Sequence, residues 1–90
     1  SKKETYDVLL GDGQTYTLAV LNANMMDAIE DEYDKSWSEL FQNARMKVIK
    51  SMLLQMLKPK YPDIDMDKVG VLVNTNVLPA LVAIITDMSK

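Results

Sequence analysis

The sequence predicts a mainly α protein of the α+β class: an N-terminal β-hairpin packed on a small bundle of three to four helices, in one domain over 1–90. Three observations carry that expectation. Apolar residues alternate on both sides of Gly11-Asp12-Gly13, the period of two strands around a turn. From Asn22 onward the apolar spacing changes to threes and fours, the period of helices. Finally, 90 residues suffice for one core and no more.

The hairpin is expected over 5–20. Tyr6, Val8 and Leu10 alternate before the turn, and Tyr16, Leu18 and Val20 after it. A two-residue Asp12-Gly13 turn would pair Leu10 with Thr15 and send the two apolar sets to opposite faces. A three-residue loop pairs Leu10 with Gln14 and Val8 with Tyr16 instead. It gathers Tyr6, Val8, Leu10, Tyr16 and Leu18 on one face, with Gly13 left-handed in a bulge. The second register is preferred. Gly-Asp-Gly is not a phosphate loop, since no Gly-Lys-Ser/Thr follows and no helix starts there.

A first helix is expected over 24–34, capped by Asn24, with Met25 or Met26, Ile29 and Tyr33 as its narrow apolar stripe. Asp27, Glu30, Asp31, Glu32 and Asp34 read as a solvated face. The central stretch is 36–57, the longest run without Gly or Pro. Ser36 and Glu39 have the spacing of a capping box. Trp37, Leu40, Phe41, Ala44 and Val48 make one stripe. Past Arg45 the apolar set Met46, Ile49, Met52, Leu53, Met56 and Leu57 centres about 130° further round, at about 100° per residue. Such a helix either kinks near Asn43 or is covered on two sides. Trp37, Phe41, Ile49 and Leu53 are expected to be largely buried. The basic residues Arg45, Lys47, Lys50, Lys58 and Lys60 lack the aromatic or base-reading partners of a nucleic-acid patch.

Pro59 and Pro62 end that stretch. Asp63-Ile64-Asp65-Met66-Asp67 imitates the start of a calcium loop, but the sixth position is Lys68 rather than Gly and the twelfth Asn74 rather than Glu. It reads as the entry to a helix over 65–74 capped by Asp63 or Asp65. The β-branched content at 69–73 leaves a strand open there. A last helix over 77–88 is capped by Asn76, with Pro79 in its first turn. Val77, Leu78, Leu81, Val82, Ile84, Ile85 and Met88 leave it almost no polar face, and a helix apolar all round needs cover on all sides. Val77, Leu81, Ile84, Ile85 and Met88 are therefore the candidate partner-binding residues, either meeting copies of themselves or receiving amphipathic segments of another protein. The other reading is that they close the core.

Composition narrows the function classes. Cysteine and histidine are both absent. That removes disulfides, thiolate chemistry, Cys-based zinc sites, the commonest general base and the commonest transition-metal ligand. The remaining Asp, Glu, Lys, Ser and Tyr form no catalytic constellation, so no enzyme, cofactor or metal is expected. A net charge of −3 argues against nucleic acid. No apolar run approaches a membrane span, and no signal peptide opens the chain. Met supplies 7 of the 90 residues, a flexible side chain suited to varied apolar partners.

The order of parts resembles one known family. The hairpin YDVLLGDGQTYTLAV, then IEDEYDKSWSELF, RMKVIKSMLLQML, a Pro-Asp entry and a closing apolar helix are similar to the tail assembly chaperones of long-tailed bacteriophages. The resemblance covers nearly the whole chain and rests on hydrophobic pattern around a Gly-Asp-Gly turn. It implies a non-enzymatic protein of the host-cell cytoplasm, absent from the mature virion, that binds the apolar tape measure protein before the tail tube polymerises. It also implies a homo-oligomer and a longer, frameshifted form of the same chain as further partners. Two rival readings stand beside it: a ubiquitin-like, β-grasp protein-binding module, which needs strands after its helix, and another structural tail protein.

Overall fold

The computed structural model describes residues 4–43 and 45–88. Strands β1 (Thr5–Leu9) and β2 (Thr15–Ala19) form an antiparallel two-stranded sheet. Val8 pairs with Tyr16 and Tyr6 with Leu18, the register of the three-residue loop. The Leu10 N–H reaches the Gln14 carbonyl at 3.0 Å, and Gly13 sits at φ +79°. Tyr16 donates its phenol proton to Asp12 at 2.6 Å, bracing the turn. That bond pushes the Tyr16 phenol up to about 12 and holds the Asp12 carboxyl below its ordinary value. Val8, Leu10 and Leu18 are buried beneath the hairpin.

Among the described residues five helices follow: α1 (Ala23–Tyr33), α2 (Trp37–Gln42), α3 (Met46–Leu57), α4 (Met66–Leu72) and α5 (Leu78–Met88). The cap of α1 is Asn22, not Asn24; its Oδ1 accepts the Met25 N–H at 3.0 Å. Two asparagines flank Ala23, and sequence spacing does not choose between them. The exposed carboxylates Asp27, Asp31, Glu32 and Asp34 form the water-facing side of α1. Asp34 ends α1 in the left-handed region at φ 52°, and its N–H and that of Lys35 both reach the Glu30 carbonyl. A non-glycine residue there costs about 1–2 kcal/mol, and a carboxylate is unfavourable at a helix C-terminus. Asp34→Gly is expected to stabilise the fold by about 1 kcal/mol, read as a melting temperature raised by about 4–8 °C.

The expected single helix over 36–57 is broken. Asn43 leaves helical geometry at φ −116°, ψ 47°, and Arg45 is extended at φ −81°, ψ 165°. The physical reason is the shift in its apolar stripe: two stripes about 130° apart, at about 100° per residue, do not both reach one core from a straight helix. Ala44, placed on the first stripe from sequence, lies outside the described residues. The capping box is half formed. Ser36 Oγ accepts the Glu39 N–H at 3.3 Å and donates to the Glu39 carboxylate, while the Trp37 N–H is taken by Glu30 from α1. Trp37 and Phe41 are partly buried and pack against the core cluster; their ring centroids lie 6.3 Å apart. Ile49 and Leu53 are buried, as are Val48, Met52, Met56 and Leu57 of α3.

Residues 69–72 are helical, and the chain turns extended at Val73. Asp65 caps α4 by accepting the Lys68 N–H at 2.9 Å. The last helix is capped from Asn74 instead of Asn76. Asn74 Oδ1 accepts the Asn76 and Val77 N–H groups at 2.9 and 3.1 Å, holding the turn that leads into α5. Core residues from β1, β2 and all five helices join in one cluster, with α3 at its centre.

Candidate functional site

The five residues singled out on the last helix do not share one surface. Val77, Leu81 and Ile85 turn inward and belong to the core; Ile84 and Met88 are half-buried. Helix geometry explains the division. Leu81 and Ile85 are one turn apart on the buried side, Val82 and Thr86 one turn apart beside them, and Ala83 and Asp87 lie beyond on the remaining side. The outward apolar residue is Val82, 46% exposed.

Val82 and Thr86 form one wall of a small apolar cleft. Phe41 of α2 and Ile49 and Met52 of α3 form the other, with Ile85 completing the lining, and the cleft measures about 180 Å³. Met46, one turn before Ile49 on α3, is likewise 46% exposed. The break before α3 shapes this site. It lets α3 bury Val48, Met52 and Met56 while α2 lays the half-buried Trp37–Phe41 pair alongside. The result is an apolar groove with a flexible thioether and an aromatic ring at its margin. Such a surface suits the apolar stripe of an incoming helix, whose residues three and four apart enter together.

Elsewhere, a larger cleft of about 650 Å³ runs between the end of α1, α2 and the start of α3. Lys35, Arg45 and Lys47 line it together with Glu39, so it offers mixed charge rather than an apolar wall. Among the described residues no three carboxylates converge as metal ligands, and Asp65 of the calcium-like run serves as the α4 cap. No helix among the described residues is long and apolar enough to cross a membrane.

Of the last helix, the sequence reading singled out residues that are buried or half-buried, and it did not separate out Val82, which reaches solvent. Val82 carried no distinguishing signal, because its neighbours are equally apolar. Met46 was visible as part of the second stripe, but its position at the first turn of α3 depends on the break.

The chain matches no protein-family model, and neither the curated proteins nor the solved structures yield a match.

Proposed function

We propose that this is a non-enzymatic binding protein that shelters amphipathic helical segments of a larger client. Within that class, the proposed identity is a tail assembly chaperone of long-tailed bacteriophages, acting on the tape measure protein in the host-cell cytoplasm and absent from the mature virion. The order of hairpin, central helical stretch, Pro-Asp entry and closing apolar helix supports this reading by resemblance. The observation that carries it is the apolar cleft between α2, α3 and α5, on whose wall Val82 stands 46% exposed. Exposed apolar surface gathered in one place normally marks an interaction site. A β-grasp module fits less well, since the described residues contain two strands and none after the helices begin.

The test is co-expression with the tape measure protein of the same genome. The unaltered chain is expected to co-purify with it. The double variant Met46→Asp/Val82→Asp should keep its far-ultraviolet circular dichroism and lose at least 90% of the captured client. If the unaltered chain captures no tape measure protein, or the variant captures it equally, the proposal is wrong. Replacing Ile84 and Ile85 together is a poorer test, because Ile85 is buried and the variant would unfold for structural reasons alone.

A further inference from the structure

The hairpin has two edges, and the fold treats them differently. In the β1–β2 ladder the Leu10 N–H bonds Gln14 and the Val20 N–H bonds Glu4. Even-numbered residues of β1 therefore face β2, and Thr5, Asp7 and Leu9 turn both N–H and C=O away from it. On β2 the outward residues are Thr15, Thr17 and Ala19. That edge is covered: the Tyr61 hydroxyl, from the segment after α3, accepts the Thr17 N–H at 3.1 Å. Among the described residues nothing bonds the outward backbone groups of Thr5, Asp7 and Leu9.

The open edge is also shaped. Thr5, Tyr6 and Asp7 form one side of a cleft of about 510 Å³, and Ala83, Ile84 and Asp87 of α5 form the other. The Tyr6 hydroxyl bridges the two sides, donating to Asp87 at 2.6 Å. A strand edge facing a helix across a cleft is the geometry in which an extended peptide adds a strand. Natural edges are commonly guarded by Pro, a charged side chain or a bulge; Thr5–Leu9 contains neither Pro nor a bulge, and its single charge is Asp7.

The charge of the cleft selects the occupant. Among the described residues its ionisable side chains are Asp7, Asp87 and Tyr6, with no Lys or Arg in that lining. Asp7 Oδ1 accepts the Thr17 hydroxyl at 2.9 Å, and Lys60 reaches Thr17 rather than Asp7. We infer that the β1 edge is a second docking site, which takes an extended protein segment alternating small apolar residues with Lys or Arg. Its backbone pairs with Thr5, Asp7 and Leu9. Its apolar side chains lie against Ala83 and Ile84, and its cations, alternating to the other face, lie beside Asp7. The site is on the opposite side of α5 from Val82, so it stands or falls independently of the tape measure reading.

The experiment uses the full ¹⁵N-labelled chain and two probes, the capped pentapeptide Val-Arg-Val-Arg-Val and the same peptide with Asp in place of Arg. The basic peptide is expected to shift the Thr5, Asp7 and Leu9 amides saturably and to slow their hydrogen exchange. It should bind at least tenfold more tightly than the acidic one. Asp7→Pro removes an outward N–H that the ladder does not use, a position where a strand tolerates proline. It is expected to leave the fold intact and abolish binding, whereas Asp7→Asn weakens binding several-fold. Equal binding of both peptides, no saturable shift at these three amides, or unchanged binding by folded Asp7→Pro overturns the inference. So do concentration-dependent shifts there without peptide, which would assign the edge to a second copy. Should Asp7→Pro fail to fold, Asp7→Asn and the acidic peptide decide.

Discussion

Leu53→Ala is expected to destabilise the fold by about 2–5 kcal/mol, the range for a fully buried leucine whose cavity cannot collapse. Leu53 has no exposed surface, and it lies in the one core cluster that joins Leu18 of β2, Ile29 of α1, Val69 of α4 and Leu81 of α5. An inward shift of any one element to fill the void pulls on the others, so relaxation is limited. A domain of this length has a total stability of about 5–13 kcal/mol at the usual increment per residue. The substitution therefore removes a large share of it. Urea unfolding should show a lower midpoint at an unchanged slope, the mark of lost stability in an otherwise similar transition. Phe41→Ala makes the informative contrast. Phe41 is half-buried at the groove, so its removal should cost about 1–2 kcal/mol in lost burial. If the two costs come out reversed, the core is centred on α2 and the groove assignment fails with it.

That contrast also marks where the sequence was legible. The hairpin register followed from local chemistry alone. Only a three-residue loop placed Val8, Leu10, Tyr16 and Leu18 on one face, and the turn glycine took the left-handed geometry that this loop needs. The existence of the helices was likewise readable from apolar spacing. Their ends were less so. Asn22 and Asn24, or Asn74 and Asn76, are chemically equivalent caps two residues apart, and tertiary packing decides which one turns extended. The α2–α3 break lacked a Gly or Pro to announce it; only the jump of the stripe did.

The candidate sites were legible in part, for a different reason. An all-apolar helix shows that several of its sides are covered and does not say by what. The hairpin, α2 and α3 divide the surroundings of α5, and this division leaves Val82 on one exposed flank and Ala83 and Asp87 on the other. The openness of the β1 edge was not readable at all. It depends on Tyr61, 44 residues away from Thr17, having taken the β2 edge instead.

The second large effect is expected at Gly11, and it tests how the hairpin is fastened to the helices. Gly11 N–H donates to the Leu72 carbonyl at 2.7 Å, satisfying one of the carbonyls left open at the end of α4. A Cβ on Gly11 would lie 2.7 Å from the Leu72 oxygen and 3.0 Å from the Val71 oxygen. Both are backbone atoms, so neither can swing aside as a side chain would. Gly11→Ala must push the turn off α4, breaking this hydrogen bond and drawing Leu10 away from Leu72, both of them buried. Overpacking of this kind costs about 1–3 kcal/mol, and the lost hydrogen bond about 0.5–1.5 kcal/mol more. Gly13 supplies the control. It has the left-handed φ of +79°, yet a Cβ there meets nothing within 4 Å. Gly13→Ala should therefore cost only its backbone strain, about 1–2 kcal/mol. Urea melts of the two variants separate close approach from turn geometry. A larger loss at Gly11 than at Gly13 means that the turn is clamped against α4. The opposite order would mean that the hairpin is held by its own turn and rests only loosely on the helices.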